Sequence, residues 1–195
     1  MSTIQQIIQQ QLTPEAMDEI SNAIGADNAT TQSAINSAIP MMMGGMAANA
    51  SDPAAAEMLA LKADEHSGML DGLMGALGGS GGALGGSGGV LGGLGGLLGG
   101  GAAGSILGQV LGSSHSNVED GVTRASGLDA QKAGKLLMIL GPIVLAAISR
   151  HRQQTNASPV QVSRDLQNEA EAHAQNEPRL GGLIGSILNK ATGQS

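Results

Sequence analysis

The chain has 195 residues, a net charge of −7 at pH 7, no Cys and no Phe, Tyr or Trp. Without aromatic rings it has no side chain to stack on the bases of single-stranded nucleic acid, and its negative charge opposes binding to a phosphate backbone. The absence of Cys excludes disulfides, thiolate metal sites and cysteine nucleophiles, and fits a reducing compartment. Residues 1–6 lack the basic start and apolar run of a secretory signal. We therefore expect a cytoplasmic protein that binds no nucleic acid.

The start of the chain, up to Gly25, predicts two short helices. Ile4 and Ile8 begin an apolar face at helical spacing, and Thr13-Pro14 reads as an N-cap followed by proline at the first helical position. Gly25 predicts the end of the second helix, because glycine adopts the left-handed conformation of a C-terminal cap at the lowest cost.

A third, broadly apolar helix is expected from about residue 30 to 48, with Pro40 inside it. Since proline removes a backbone donor and clashes with the preceding turn, we expect Pro40 to kink or split this helix. Asp52-Pro53 predicts the start of a fourth helix. A short fifth helix then carries Leu70, Leu73, Met74 and Leu77.

Residues 78–103 form a glycine-rich array with a seven-residue period. Four glycines per seven residues cost about 4 kcal/mol of helix propensity relative to alanine, so a flexible linker is expected. The alternative is a glycine-zipper membrane segment, because no Asp, Glu, Lys or Arg lies between Asp71 and Glu119. The missing basic flank and the low hydrophobicity of glycine argue against insertion into a membrane.

The same helix signals return after the array. Ser116–Glu119 reads as a capping box, Gly127 as a helix end, and Asp129 as the N-cap of a long helix that contains Pro142. Ser158–Gln161 predicts the cap of the helix that follows. No alternating strand pattern flanked by hairpin turns is present, so the sequence predicts an all-α protein.

These signals repeat at a constant shift of 102 residues, since Asp18–Asp27 aligns with Asp120–Asp129 and Pro40 aligns with Pro142. We predict two pseudo-repeated small helical bundles, residues 1–77 and 104–195, joined by the glycine-rich linker 78–103. Each bundle is small and has no aromatic side chain to bury. We therefore expect modest stability or pairing of the two copies.

One apolar set has two interpretations. Its members lie around the two prolines at corresponding positions and could line a soft surface for a partner helix. Because methionines in the first copy correspond to aliphatic residues in the second, core packing explains the same positions. The set consists of Met41, Met42, Met43, Met46, Ile143, Val144, Leu145 and Ile148.

The polar candidates for chemistry have simpler explanations. Glu169 and His173 lie four residues apart on one helical face and could share a metal, but a solvated polar face is favoured because no third ligand is evident. Ser113-Ser114-His115 lacks an oriented base and an oxyanion site. Arg150-His-Arg152 is read as a cationic helix end. We expect no catalytic residue, cofactor or metal.

The apolar run from Leu136 to Ile148 is interpreted as a buried helix, too short to cross a bilayer.

Three features resemble a known family: the Ser-Gly-Leu-Asp cap at Ser126–Asp129, the long apolar helix with Pro142, and the Leu-x-Gly-Leu-x-Gly segments. Together they are similar to the bacterial "domain of unknown function 937" family, whose members include YidB-like proteins. The resemblance covers nearly the whole chain outside the array, and rests on caps and core positions. It implies a small bacterial helical protein and brings no catalytic residues.

The sequence thus predicts a non-enzymatic helical scaffold or protein-interaction protein, with a protein partner or self-association. The first alternative is an envelope-associated or membrane-associated protein that uses the glycine-rich segment for packing or insertion. The second is a metal-dependent enzyme using His151, Glu169 or His173.

Overall fold

A computed structural model of the chain describes residues 3–78, 102–176, 181–182 and 184–186, and the side chains of these residues except 66–78, 102 and 103. The first part contains α1 (Ile4–Gln11), α2 (Pro14–Ile24), α3 (Asn28–Asn49) and α4 (Pro53–Gly78). The second contains α5 (Ala102–Leu111), a short 3-10 helix (Gly112–Ser114), α6 (His115–Ser126), α7 (Ala130–Thr155) and α8 (Pro159–Asn176). Residues 181–182 and 184–186 are also helical. No strand occurs among the described residues, so the prediction of an all-α protein is confirmed.

Helix starts follow from short polar side chains that accept hydrogen bonds from the first free amides of each helix. Thr13 accepts from the Ala16 amide at 3.3 Å. Asp27 and Asp129 cap α3 and α7 in the same way, each accepting from the amide three residues on at 2.9 Å. Ser158 and Gln161 form a reciprocal capping box at α8. The predicted starts at Thr13, Asp129 and Ser158 are confirmed, whereas the cap at Asp27 was not predicted and places the start of α3 at Asn28.

Gly25 and Gly127 end α2 and α6, with φ of +70° and +74°. In each case the glycine amide donates to a carbonyl four residues earlier, Ser21 or Thr123. Both predicted helix ends are confirmed, because this left-handed geometry favours glycine.

Two local predictions were wrong, and one of the two outcomes expected for Pro40 is excluded. Ser116 does not start a helix, because the 3-10 turn leads directly into α6 and the N-cap, Ser114, makes no side-chain capping bond. Pro40 does not split α3, which runs from Asn28 to Asn49, and Pro142 is likewise inside α7. No separate fifth helix exists in the first part, since α4 continues to Gly78.

The two proline-containing helices are the centre of the fold. Every residue of α3 from 37 to 48 is buried, as is almost all of α7 from 139 to 149. A helix that is apolar all round must be covered on all sides. α7 is covered by α1, α2, α4, α5 and α6, and α3 by α2, α5, α6 and α8.

The covering helices are exchanged between the two parts of the chain. The most extensive contacts are those of α4 with α7, α8 with α3, and α6 with α3. α1 and α2 from the first part also pack on α7, and α5 from the second part packs on α3. The buried side chains of both parts consequently form one hydrophobic cluster. α3 and α7 touch each other less extensively than they touch these covering helices.

Small residues allow the closest of these crossings. A Cβ atom on Gly45 of α3 would lie 2.9 Å from a methyl of Val118 and 3.0 Å from a methyl of Leu111. Since real Cβ contacts are not this short, glycine at this position sets how near α5 and α6 come to α3. Gly44, one residue earlier, lies beside Ala170 of α8.

Among the described helices, α7 alone is long and apolar enough to cross a membrane by length and composition. An 18-residue window of this helix, longer than the uninterrupted apolar run Leu136–Ile148, meets this criterion of length and mean hydropathy. Of that window, 67% is buried inside the fold. A buried core helix meets the same criterion, so the feature is weak evidence for a membrane span.

Candidate functional site

The predicted partner surface lies in the core. Its methionines have no exposed area on α3, and on α7 Val144 and Ile148 have none and Leu145 has 1%. Ile143 is partly buried and packs against the same cluster. In this structure, then, Met41, Met42, Met43, Met46, Ile143, Val144, Leu145 and Ile148 do not form a surface for an outside partner. Core packing accounts for their positions, because each covering helix needs an apolar side chain to pack against.

A polar cluster forms at the end of α7, where sequence analysis expected only a cationic helix end. The carboxylate of Asp64 on α4 accepts hydrogen bonds from the Ser149 hydroxyl at 3.1 Å and from the Arg152 guanidinium. Ser149 is fully buried, whereas the Arg152 and Asp64 side chains keep 26% and 39% of their area exposed. This cluster ties the first part of the chain to the second.

His151 joins α7 to α8 in the same region. Its Nε2 lies 3.0 Å from a carboxylate oxygen of Asp165, and the residue is buried. The Ser149 hydroxyl donates its only proton to Asp64 rather than to a histidine. A serine nucleophile needs a base that accepts that proton, so the arrangement joins three helices and does not form a nucleophilic pair.

Glu169 and His173 both face α1. The two carboxylate oxygens of Glu169 accept from the backbone amides of Ile4 and Gln5, at 2.8 and 3.1 Å. Nε2 of His173 is within hydrogen-bond distance of the Gln5 side-chain oxygen. Carboxylates are favoured at helix N-termini, where free amides and the helix dipole are positive. Glu169 therefore caps α1 from α8, and the described residues contain no group of three or more potential metal ligands.

A second crossing cap lies at the end of α5. The side-chain amide of Asn49, the last residue of α3, donates to the carbonyls of Gln109 and Val110 at 3.2 and 3.0 Å. These carbonyls belong to the last turn of α5 and have no partner within their helix. Gly112 has φ of +53° and lies so close to Asn49 that a Cβ atom there would overlap the amide oxygen.

The residues Ser113-Ser114-His115 have structural positions. Both serines lie in the 3-10 helix and His115 begins α6. Ser114 is buried, with its Cβ 3.4 Å from the position of a Cβ on Gly45. This places Ser114 at the crossing of α6 with α3.

A cleft of about 480 Å³ lies between the end of α3, α8 and the residues Gly181, Ile184 and Gly185. Its walls combine small residues with polar ones from α8, among them Gln167, Glu171 and Gln175. Glu171 already accepts a hydrogen bond from the Gln167 amide at 2.9 Å. The cleft is of the size of small-molecule sites, but its polar groups are exposed and partly paired with each other.

The carboxylate of Asp27 is perturbed by the helix that it caps. Its carboxylate accepts from the Thr30 amide at 2.9 Å and from the Thr30 hydroxyl at 2.7 Å. Because these hydrogen bonds favour the charged carboxylate, they lower the pKa of Asp27 below its ordinary value. The perturbation thus originates from helix capping.

The fold defines an all-α protein built around two buried helices whose covering helices are exchanged between two parts of the chain. The chain belongs to the family described as bacterial protein of unknown function (DUF937), whose model matches residues 6–151. This match confirms the resemblance found in the sequence, and it runs from within α1 to near the end of α7. Neither the curated proteins nor the solved structures contain a match to this chain.

Sequence analysis missed the crossing polar contacts of Asn49, Asp64 and Glu169. A weak signal existed for the α7 cluster, because Ser149 and Arg152 continue the helical face of Leu145 and Ile148 with polar groups. Such residues on an otherwise buried face require partners. The sequence around them does not identify the partner, because Asp64 lies on a helix of the other part of the chain.

Proposed function

We propose that this protein is a non-enzymatic helical scaffold in which residues 1–77 and 104–195 are two related repeats that fold together about a pseudo-twofold axis. The glycine-rich segment 78–103 joins them, and it lies mostly outside the described residues. The outer helices provide the surface for a protein partner or for another copy of the chain. The location that goes with this proposal is the cytoplasm.

The observation that carries the proposal is the reciprocal covering of the two buried helices. α4 and α1 of the first part lie on α7, and α8 and α6 of the second part lie chiefly on α3. α2 and α5 contact both buried helices. The helices of the two parts occupy corresponding places in the sequence at the shift of 102 residues or slightly more. An exchange of this kind is expected of a duplicated unit that pairs with its own copy.

The polar groups support a structural role. Glu169 spends both carboxylate oxygens on amides of α1, and Asp64 accepts from Ser149 and Arg152. Asn49 spends its amide protons on carbonyls of α5. Groups that are saturated by helix ends have little capacity left for a substrate.

Separate production of residues 1–78 and 102–195 tests the pairing. Each piece alone should have weak circular dichroism at 222 nm, because it would expose the apolar residues that the other piece covers. When mixed, they should recover helical signal and elute as a one-to-one complex. The matched control is the piece 102–195 with Leu140→Asp, which places a charge in the shared core. This piece should not restore the helical signal of residues 1–78. Two separately stable monomers that ignore each other would contradict the proposal.

The non-enzymatic part is tested by metal analysis of protein purified without chelator. A stoichiometric transition metal that is lost in Glu169→Gln and His173→Gln variants would favour the metal-dependent alternative instead. We expect both variants to resemble the wild type in metal content.

A membrane-associated protein is the second candidate, favoured by the length and apolar composition of α7. Carbonate extraction of membranes from cells producing the full chain separates the two possibilities. The scaffold predicts that the protein is released with the soluble fraction. Retention in the membrane fraction, with loss of retention on deletion of residues 78–101, would support the envelope alternative and assign it to the array.

A further inference from the structure

Each part of the chain presents a buried helix that is covered largely by helices of the other part. α7 contributes fully buried Leu136, Leu137 and Leu140, and the helices of the first part that cover α7 are α1, α2 and α4. α3 contributes fully buried methionines, and it is covered from the second part by α5, α6 and α8. Separating the parts would expose both sets to water at a cost of roughly 1.5–3 kcal/mol for each side chain.

Polar contacts across this interface specify which part pairs with which. Glu169 reaches the first turn of α1, Asn49 reaches the last turn of α5, and Asp64 meets Arg152. Each contact joins a residue of the first part to one of the second. In the repeat of 102 residues, Asn49 corresponds to His151 on α7. The contact of His151 is with Asp165 of the same part and does not cross between the parts. A pair of identical parts would therefore lose contacts that the mixed pair makes.

Charge favours the same pairing. Residues 1–78 contain nine acidic residues and one basic residue, whereas residues 102–195 contain seven acidic and eight basic residues. Two first parts together would bring two strongly negative surfaces into contact. A first part with a second part avoids this repulsion.

None of these contacts depends on the two parts belonging to one molecule. The covalent connection between them is the stretch 79–101, which is mostly glycine. The glycine-rich sequence predicts a flexible linker, and such a linker of this length would have an end-to-end distance of roughly 25–30 Å and give a local concentration of about a millimolar. The connection favours pairing within one chain at low protein concentration, but the interface itself accepts a part from either source.

We infer that, at protein concentrations near a millimolar, the interface between residues 3–78 and 102–176 also joins two copies of this chain, with the first part of each copy packed on the second part of the other. The inference rests on the proposed function, because it uses the pairing of the two repeats. It assigns the glycine-rich connection a definite role: its length decides between a closed monomer and an exchanged dimer.

A variant that joins Gly78 directly to Ala102 tests this. α4 and α5 lie against each other in the folded chain, which one continuous helix cannot reproduce, so each second part must find the first part of another copy. Light scattering after size-exclusion chromatography should give the wild type the mass of one chain, 19.3 kDa, and the variant twice the mass of its own chain. The matched control replaces the stretch 79–101 with Gly-Gly-Ser repeats of equal length and should stay monomeric.

A helical monomer of the joined variant, judged by circular dichroism, would overturn the inference. If the variant has no helical signal, a second experiment on the full chain tests the inference. Two differently tagged wild-type chains are unfolded and refolded together at about 1 mM, and serial purification on both tags should recover a mixed species that native mixing does not produce. Failure to recover it would overturn the inference. If residues 1–78 and 102–195 still complement each other as separate chains, the proposed function survives that failure.

Discussion

α3 and α7 have the same plan but different solutions to the same packing problem. Both begin at a capping aspartate, contain a proline and are buried on nearly all sides. α3 fills its middle with methionines and a Gly-Gly step that admits α5 and α6, whereas α7 uses branched aliphatic residues and an Ala-Ala step. α3 ends in an amide that caps another helix, whereas α7 ends in a polar cluster with Asp64 and Asp165. Equivalent helices can thus hold equivalent places in the fold with different core residues and different polar contacts at their ends.

The largest expected effect comes from shortening one buried side chain in each helix. Met43→Ala in α3 and Leu145→Ala in α7 change corresponding, fully covered positions, and each should lower the free energy of unfolding by about 2–5 kcal/mol. Because the core is shared, both variants should show one thermal transition at 222 nm, shifted to lower temperature. Leu61→Ala, with 64% of the residue exposed, is the control and should hardly move it. Two separate transitions would show that α3 and α7 do not belong to one cooperative core.

The Gly-Gly step gives the next effect. Gly45→Ala should cost about 1–3 kcal/mol, because Val118 and Leu111 must move to make room for the added methyl. Gly108→Ala is the matched control, since nothing lies within 4 Å of a Cβ there and its helix should gain up to about 1 kcal/mol of propensity. Urea unfolding followed by circular dichroism measures both changes. Equal effects of the two substitutions would show that the close approach at α3 is unimportant.

The crossing cap of α1 is a smaller contribution. Glu169→Ala leaves the Ile4 and Gln5 amides without their carboxylate and should lower the free energy of unfolding by about 1 kcal/mol. Glu171→Ala, two residues away and exposed, should change it by less than about 0.5 kcal/mol. Hydrogen exchange should also become faster at Ile4 and Gln5 in the first variant alone. Unchanged hydrogen exchange at Ile4 and Gln5 would show that Glu169 does not cap α1.

The smallest effect concerns acid. The pKa of Asp27 is lowered in the folded chain, so its stabilising contribution is complete above the pKa of the unfolded carboxyl, about 3.9, and is lost as the pH falls through the folded value. Asp27→Asn also caps a helix but does not titrate in this range. The urea midpoint of this variant should match the wild type at pH 7 and fall less between pH 5 and 2. An identical fall in both proteins would contradict the role of Asp27.

Helix ends were predictable because their signals are local. Thr13, Asp129 and Gly127 act on amides or carbonyls within four residues, so the sequence around each contains the whole interaction. Ser116 was wrong for a local reason as well, since the turn before it was already helical. The length of α4 was missed because the sequence was divided into a fourth and a fifth helix. Gly68, which lies between them, costs a long helix only about 1 kcal/mol of propensity, too little to end it.

The contacts between the two parts could not be predicted from local signals. The repeat of 102 residues indicated two related units, but it did not indicate that α4 would cover α7 while α8 covers α3. Asp64 and Glu169 looked like solvated helical acids, because their partners are 88 and 165 residues away. The same repeat favoured core packing over a partner surface for the methionines, and burial of those side chains follows from the exchange of covering helices.

The burial of the α3 methionines has a consequence for oxidative chemistry. Four thioethers on this helix have no exposed area, whereas Met58 on α4 keeps 44% of its area exposed. Oxidation of methionine to its sulfoxide requires access of the oxidant to sulfur and turns an apolar side chain into a polar one. Peroxide should therefore oxidise Met58 before the α3 methionines, whose sulfurs become accessible only when the core opens. In a protein without Trp or Tyr as fluorescent probes, formation of methionine sulfoxide on α3 therefore reports opening of the core.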